Sequence, residues 1–248
     1  VRAAVVVWKW FRPNYRSKFG AKEVNVAQSQ WARRLRIPHT FICVTDDPVG
    51  LNPEIRVIDL KSLPSYKWFN VPNPSSRVNP SCYVRMEIYS ERAREIFCAD
   101  KIISVDLDIL LTDEVTPIFD IDVPFAIWGG QNVQPNVPKV YNWFNGSVQM
   151  VKAGARTEVY NDFDPASSPR EANAAGCRGS DQGWIAYRLK NKGHLWGTQD
   201  GIFSYRNHIL PGGGRLPKGA RLVAFHGAHD PWDRDVQSRH AWVRENYR

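Results

Sequence analysis

At 248 residues, with 43% hydrophobic and 23% charged residues, the chain has an ordinary globular composition and enough length to bury a good core, so one domain over 1–248 is expected. No apolar run approaches a membrane span, the opening Val1-Arg-Ala-Ala-Val-Val-Val-Trp8 is too short for a signal peptide, and Cys43, Cys82, Cys98 and Cys177 form no C-x-x-C pair. These features argue against a transmembrane helix, a zinc site and a disulfide framework, and they predict a cytoplasmic protein. The net charge of +8 is uneven, because residues 1–36 carry nine basic residues against Glu23 alone while the remainder balances. That asymmetry suits a polyanionic partner or a phosphorylated ligand, and a solvated basic helix face would produce it equally well.

In chain order, residues 3–8 read as a central strand, followed by a Pro- and Gly-punctuated loop over 9–20. Val24, Ala27, Trp31 and Leu35 mark one face of a helix over 21–36. Strands follow at 40–45 and 55–59, a β-α-β opening that argues for a parallel sheet with helices on its faces. Four prolines between 61 and 80 predict a long ordered loop, with Tyr66, Trp68 and Phe69 packed under it. Residues 83–97 carry a helical stripe, 101–105 a buried strand, and further strands are expected at 124–128, 147–151 and 222–226. Residues 161–180 read as a second long loop, 181–192 as a helix with Ser180 as N-cap, and Gly212-Gly-Gly214 as a flexible turn.

The stretch Lys101-Ile-Ile-Ser-Val-Asp-Leu-Asp-Ile-Leu-Leu-Thr112 organises the rest. At the end of this strand, alternation is expected to put Asp106 and Asp108 on one side and Leu107 on the other. Two converging carboxylates repel each other and are costly to keep ionised without a partner. A divalent ion with oxygen ligands, Mg²⁺ or Mn²⁺, is the usual remedy. A strand end capped by two solvated acids is the plainer alternative.

Four further pieces accompany this motif in order: Tyr83-Val-Arg85, Phe144-Asn-Gly-Ser147, Ser180-Asp-Gln182 and Phe225-His-Gly-Ala-His-Asp-Pro-Trp232. The ordered set resembles the nucleotide-sugar glycosyltransferases of the GT-A fold, in particular glycosyltransferase family 8, which includes glycogenin and bacterial galactosyl and glucosyl transferases. The resemblance covers residues 3–232 and implies an α/β, Rossmann-like domain with a central, mostly parallel sheet flanked by helices. It also implies a hexosyltransferase that uses a UDP-sugar, binds Mn²⁺ (or Mg²⁺) and retains configuration at the anomeric carbon.

The residue roles are carried over from the same resemblance. Asp106, Asp108 and His226 would bind the metal. Arg85 would pair with a phosphate, and Gly227 would let the backbone approach the diphosphate. Asp181 and Gln182 would sit beside the reacting sugar carbon, and Asn145 and Gly146 would orient the sugar. Leu107 belongs to the donor site, and Tyr15 would stack on the base. Helix capping by Asp181-Gln182, a simple turn at Asn145-Gly146 and loop packing by Tyr15 are the plainer explanations. Trp128-Gly-Gly130 at a strand end could leave room for a sugar, and Asp46-Asp47 could contact the base, although an Asx-turn before Pro48 is the expected role. The tail departs from the family pattern H-x-x-G-x-x-K-P-W: His226 directly precedes Gly227, and Asp230 stands where the lysine would be. Lys9, Arg85 and Lys218 are candidates to replace that cation, and His229 is a rival metal ligand.

The acceptor is left open. A saccharide, a glycolipid or a protein hydroxyl is one option. A hydroxymethylated base in DNA is the other, with Arg12, Arg16 and Lys18 as the nucleic-acid contacts and ten tryptophans available for stacking. Two other function classes compete with transfer. A non-catalytic nucleic-acid-binding protein on a degenerate transferase fold would explain the missing tail lysine. A metal-dependent nucleotidyltransferase or nuclease would need a further carboxylate that the sequence does not offer.

Overall fold

The computed structural model describes residues 2–11, 19–75, 81–129, 144–190 and 192–248. Its centre is β1 (Ala3–Lys9), all of whose residues are buried. Alternate side chains feed two cores, as a period of two requires. Ala4, Val6 and Trp8 join one with Tyr83, Trp68 and Trp184, and Val5 and Val7 join the other with Val24, Trp31 and Trp128. Strand β1 is parallel to β2 (His39–Thr45) and to β4 (Lys101–Val105), and β2 is parallel to β3 (Arg56–Asp59). A sheet buried on both faces accounts for runs such as Ala-Ala-Val-Val-Val.

The sheet continues through β6 (Phe125–Gly129), β7 (Phe144–Lys152) and β8 (His194–Trp196) in the order β3-β2-β1-β4-β7-β6-β8. Only β7 runs antiparallel to its neighbours in this mostly parallel, seven-stranded sheet. A second sheet has three strands: β5 (Ile109–Leu111), β9 (Ile202–Ser204) and β10 (Leu222–Ala224) in the order β5-β10-β9.

Helix α1 (Ala21–Arg34) buries Val24, Ala27, Gln30 and Trp31. The Glu23 carboxylate accepts the Gly20 N–H at 2.7 Å, and buried Gln30 accepts the Leu111 N–H at 2.8 Å, tying α1 to the small sheet. The expected helix over 83–97 is instead a 3₁₀ helix, Tyr83–Tyr89, followed by α2 (Ala93–Phe97). All seven residues of the 3₁₀ helix are buried, and the Val84 carbonyl accepts the Ser65 hydroxyl at 2.8 Å, so tertiary bonds displace the regular ladder.

The loop over 61–80 contains the 3₁₀ turns Leu60–Ser62 and Pro64–Trp68 within its described part, over a buried Trp68. Two short helices follow β5 and β7, α3 (Thr116–Phe119) and α4 (Glu158–Asn161). The expected loop over 161–180 contains α5 (Ser168–Ala174). Helix α6 (Asp181–Leu189) ends at Lys190, whose φ is 54°. The chain closes with α7 (Arg234–Arg239) and α8 (Ala241–Asn246). No helix of the described residues is long and apolar enough to cross a membrane.

Candidate active site

Strand β4 ends at Val105, and Asp106, Leu107 and Asp108 form the turn into β5. The two carboxylates therefore converge through a turn rather than through strand alternation. Together with Leu107 they line a cavity of about 100 Å³ whose other walls are Trp8, Trp10, Phe19, Cys82 and Arg85. It opens at the carboxyl ends of β1 and β4, where open α/β sheets bind their ligands.

Arg85 is the hub of one side of this cavity. Its Nη1 donates to Asp106 Oδ1 at 2.6 Å, its Nε lies 3.1 Å from Asp181 Oδ2, and its Nη2 donates to the Gly146 carbonyl. The guanidinium and the Asp181 carboxylate are both only 6% exposed, so the pair is held in a medium that strengthens it. Burial works against the guanidinium charge, but Asp181 and then Asp106 outweigh it and hold the group above its ordinary value.

The strand expected from Ser147 begins earlier, at Phe144. Its register against β6 jumps from Ile127↔Gln149 to Trp128↔Asn145. An irregularity of this kind re-aims backbone groups, and here it turns the Gly146 carbonyl to Arg85 and the Gly146 N–H to Gln182 Oε1, at 3.1 Å. A Cβ on Gly146 would lie 3.4 Å from Arg85 Nη2 and 3.6 Å from Asp181 Oδ2. Asn145 stays within its own strand end, its Oδ1 accepting the Ser147 N–H at 2.9 Å, and the Ser147 carbonyl accepts the Asp106 N–H at 2.9 Å. Ser180 occupies the N-cap position of α6 without capping it: its hydroxyl accepts the Cys82 N–H at 3.1 Å and so joins α6 to the 3₁₀ helix that carries Arg85.

The Asp106–Asp108 turn also adjoins the edge of the small sheet. Strand β10 pairs antiparallel with β5 and parallel with β9, with Ala224 opposite Ile109 and Ser204. The start of β5 and the ends of β9 and β10 therefore share one edge. The Phe225 N–H donates to the Asp108 carbonyl at 3.0 Å, and His226 follows, packed edge-on to buried Trp128 at 5.6 Å. Burial first, then the Arg206 guanidinium, push His226 down to about 4 against the opposing field of Asp106, so its imidazole is neutral at pH 7. The Ser204 hydroxyl lies 2.8 Å from His226 Nε2. His229 instead packs edge-on to Tyr205 at 5.7 Å.

Among the described residues no three His, Cys, Asp or Glu side chains stand close enough to enclose a metal ion by themselves. Asp106 and Asp108 supply the carboxylate oxygens that hard divalent ions such as Mn²⁺ or Mg²⁺ favour, and such ions ordinarily complete their coordination with phosphate oxygens and water.

Lys9 is committed elsewhere, donating to the Asp47 carbonyl at 2.6 Å and to its carboxylate at 3.0 Å. Asp47 also accepts the Val49 N–H at 3.3 Å, the turn expected before Pro48. Lys218 precedes β10 and so lies at the end of that strand away from His226. Arg12, Tyr15, Arg16, Lys18 and Gly130 lie outside the described residues. Sequence reasoning missed Trp10, Phe19, Cys82, Ser204 and Arg206. The aromatic pair flanks the 12–18 stretch and was the one group with a local signal, whereas the others reach the site only through the fold.

No family model and no curated protein matches the chain. Solved structures do. A galactosyltransferase, LgtC, in complex with donor and acceptor sugar analogues matches at TM-score 0.61 and 15% identity, over 99% of this chain and 96% of that one. This is the GT-A glycosyltransferase fold. Mouse xyloside xylosyltransferase 1 matches at TM-score 0.56 and 14% identity, over 91% of this chain and 98% of that one. The glycosyltransferase GlyE of Streptococcus pneumoniae TIGR4 matches at 0.54 and 12% identity, over the whole of this chain and 62% of that one. Identities this low establish the GT-A architecture and leave the chemistry to the site.

Proposed function

We propose that the protein is a glycosyltransferase that moves a sugar from a UDP-sugar to a hydroxyl acceptor, with Mn²⁺ or Mg²⁺ at the Asp106–Asp108 turn and with retention at the anomeric carbon. The observation that carries this is the Arg85 bridge. One buried guanidinium gathers Asp106, Asp181 and the Gly146 backbone from three distant parts of the chain at the ligand end of a GT-A sheet.

Asp106, Asp108 and His226 would hold the ion, which when bound supplies Lewis-acid stabilisation of the leaving diphosphate. In the transfer, the sugar C1–O bond breaks with its electron pair leaving on the phosphate oxygen. The acceptor oxygen bonds C1 from the same face, and the hydroxyl proton passes to the leaving phosphate oxygen. Asp181, fixed by Arg85, and the adjacent Gln182 are the groups positioned to stabilise the oxocarbenium-like carbon. Trp10 and Phe19 offer the apolar wall that a nucleotide base needs.

A saccharide hydroxyl is the acceptor class we favour. One similar structure is a complex with donor and acceptor sugar analogues, and another is a xyloside xylosyltransferase. A hydroxymethylated base in DNA rests on the composition of residues 1–36 alone.

The deciding measurement is UDP release with Mn²⁺ across a panel of UDP-sugars, with saccharides and with hydroxymethylated DNA as acceptors. Release with one sugar and a saccharide, lost about 10²-fold or more in Asp106→Asn and Asp108→Asn, is the expected result. Absence of UDP release with every donor overturns the assignment, and stimulation by DNA alone moves the acceptor to nucleic acid.

A further inference from the structure

We propose that Arg206 is the cationic contact for the donor diphosphate on the small-sheet side of the cavity, an inference that rests on the nucleotide-sugar function proposed above. A diphosphate entering beside Asp106 and Asp108 meets two carboxylates and gains further negative charge as the sugar leaves. Arg85, the one cation among the described residues that line the cavity, is already divided between Asp106, Asp181 and the Gly146 carbonyl. A second cation, not tied up by a carboxylate, is needed on the opposite side.

Topology delivers one. Because β10 is parallel to β9 and antiparallel to β5, the Asp106–Asp108 turn, His226-Gly227 and the segment after Ser204 emerge at the same edge. Ser204 is bonded to His226, and its hydroxyl also accepts the Asn207 N–H at 3.0 Å. That bond fixes the five-residue π-turn Tyr205–Ile209, on which Arg206 is exposed while Tyr205 is buried. The Arg206 side chain lies across Gly227: a Cβ there would meet its Nη1 at 3.3 Å and its Cδ at 3.4 Å. Gly227 has φ +107°, a conformation that favours glycine, and its missing side chain leaves room for the guanidinium beside the backbone. Arg206 Nε donates to Asn207 Oδ1 at 3.2 Å, which orients the fork, and among the described residues no carboxylate forms an ion pair with it. Asp230, three residues past Gly227, is a buried acid whose N–H donates to Asp233 Oδ2 at 2.8 Å. The positive charge beside Gly227 comes from a different strand end. A planar guanidinium suits a diphosphate because it can donate two parallel hydrogen bonds.

The test compares calorimetric binding of UDP, UMP and uridine, each with Mn²⁺, to the full chain and to Arg206→Ala and Arg206→Lys, with Arg94→Ala at the opposite end of the sheet as a control for lost charge. Loss of a charge-assisted contact should weaken UDP binding about 10- to 100-fold in Arg206→Ala. UMP should lose less, uridine should be unchanged, Arg206→Lys should fall between, and Arg94→Ala should match the parent. If the parent binds UDP and Arg206→Ala binds it equally well, or loses uridine as much as UDP, Arg206 is not a diphosphate contact and the nucleotide-sugar function still stands. If the parent binds none of the three, that function fails, and this inference with it.

Discussion

On one side of the cavity Asp106, Asp181 and the Gly146 carbonyl are tied to a single buried guanidinium; on the other, His226 and Gly227 end a three-stranded sheet beside an exposed arginine. On the Arg85 side one guanidinium is already shared by two carboxylates before any ligand arrives. The His226 side has a neutral imidazole and an arginine, Arg206, for which no ion pair is seen among the described residues. Substitutions on the first side should therefore act on stability and turnover together. Those on the second should act on ligand affinity and leave the fold intact.

The largest effect is expected from breaking the first side at its hub. Arg85→Ala removes the guanidinium from the buried Asp181, and removal of one partner from a buried ion pair costs about 3–5 kcal/mol. Urea unfolding should show that loss, together with abolished transfer. Arg85→Lys keeps the charge but cannot reach three acceptors as a planar fork, so it should recover only part of the stability. A parent-like unfolding midpoint in Arg85→Ala would mean that the bridge does not hold the site together.

Asp181→Asn comes next and separates chemistry from scaffolding. A group acting on the transition state lowers kcat rather than uniform binding, here by about 10²-fold or more, with nucleotide-sugar affinity nearly kept. If stability falls and kcat does not, Asp181 serves only as the Arg85 counter-ion. Gly146→Val should be milder. Its side chain would press on Arg85 Nη2, 3.4 Å from the Cβ position, and on Gln182 Cβ at 3.5 Å, for an overpacking cost of about 1–3 kcal/mol read as a lower melting temperature. An unchanged melting temperature would show that the Gly146 neighbourhood is looser than described.

The smallest effect belongs to the second side and sharpens the contrast. The folded-state value of His226 lies near 4, below the ordinary 6.5. Its contribution to stability is therefore present above about 6.5, because the neutral ring is the form the fold favours, and is lost as the pH falls toward 4. NMR titration of the metal-free protein should show the His226 ring neutral at pH 5.5, while protonation near 6.5 would place it in water.

Elements built from strong local pattern were legible in the sequence. Residues 3–8 and 101–105 are β-branched runs that only a doubly covered sheet accommodates, and the stripe Val24, Ala27, Trp31 demands a buried helix face. The candidate site was legible as residue types in order, and Arg85, Asp106, Gly146, Asp181 and Gln182 do meet. Short elements were not. Strands β5, β8 and β9 have three residues each, too few for any period to emerge, and they exist because neighbouring backbone groups pair with them.

The same limit explains the roles that changed. Whether residues 83–89 form an α- or a 3₁₀ helix depends on Ser65, Ser180 and Gly146, all distant in sequence. Whether Lys9 faces a ligand or Asp47 depends on how β1 ends beside β2. Composition and periodicity, which act through neighbours along the chain, determined the parallel α/β core and the set of chemical groups. The partner of each charge, including the placing of Arg206 rather than residue 230 beside Gly227, was decided by strand pairing, because electrostatic and hydrogen-bond partners are chosen by distance in space.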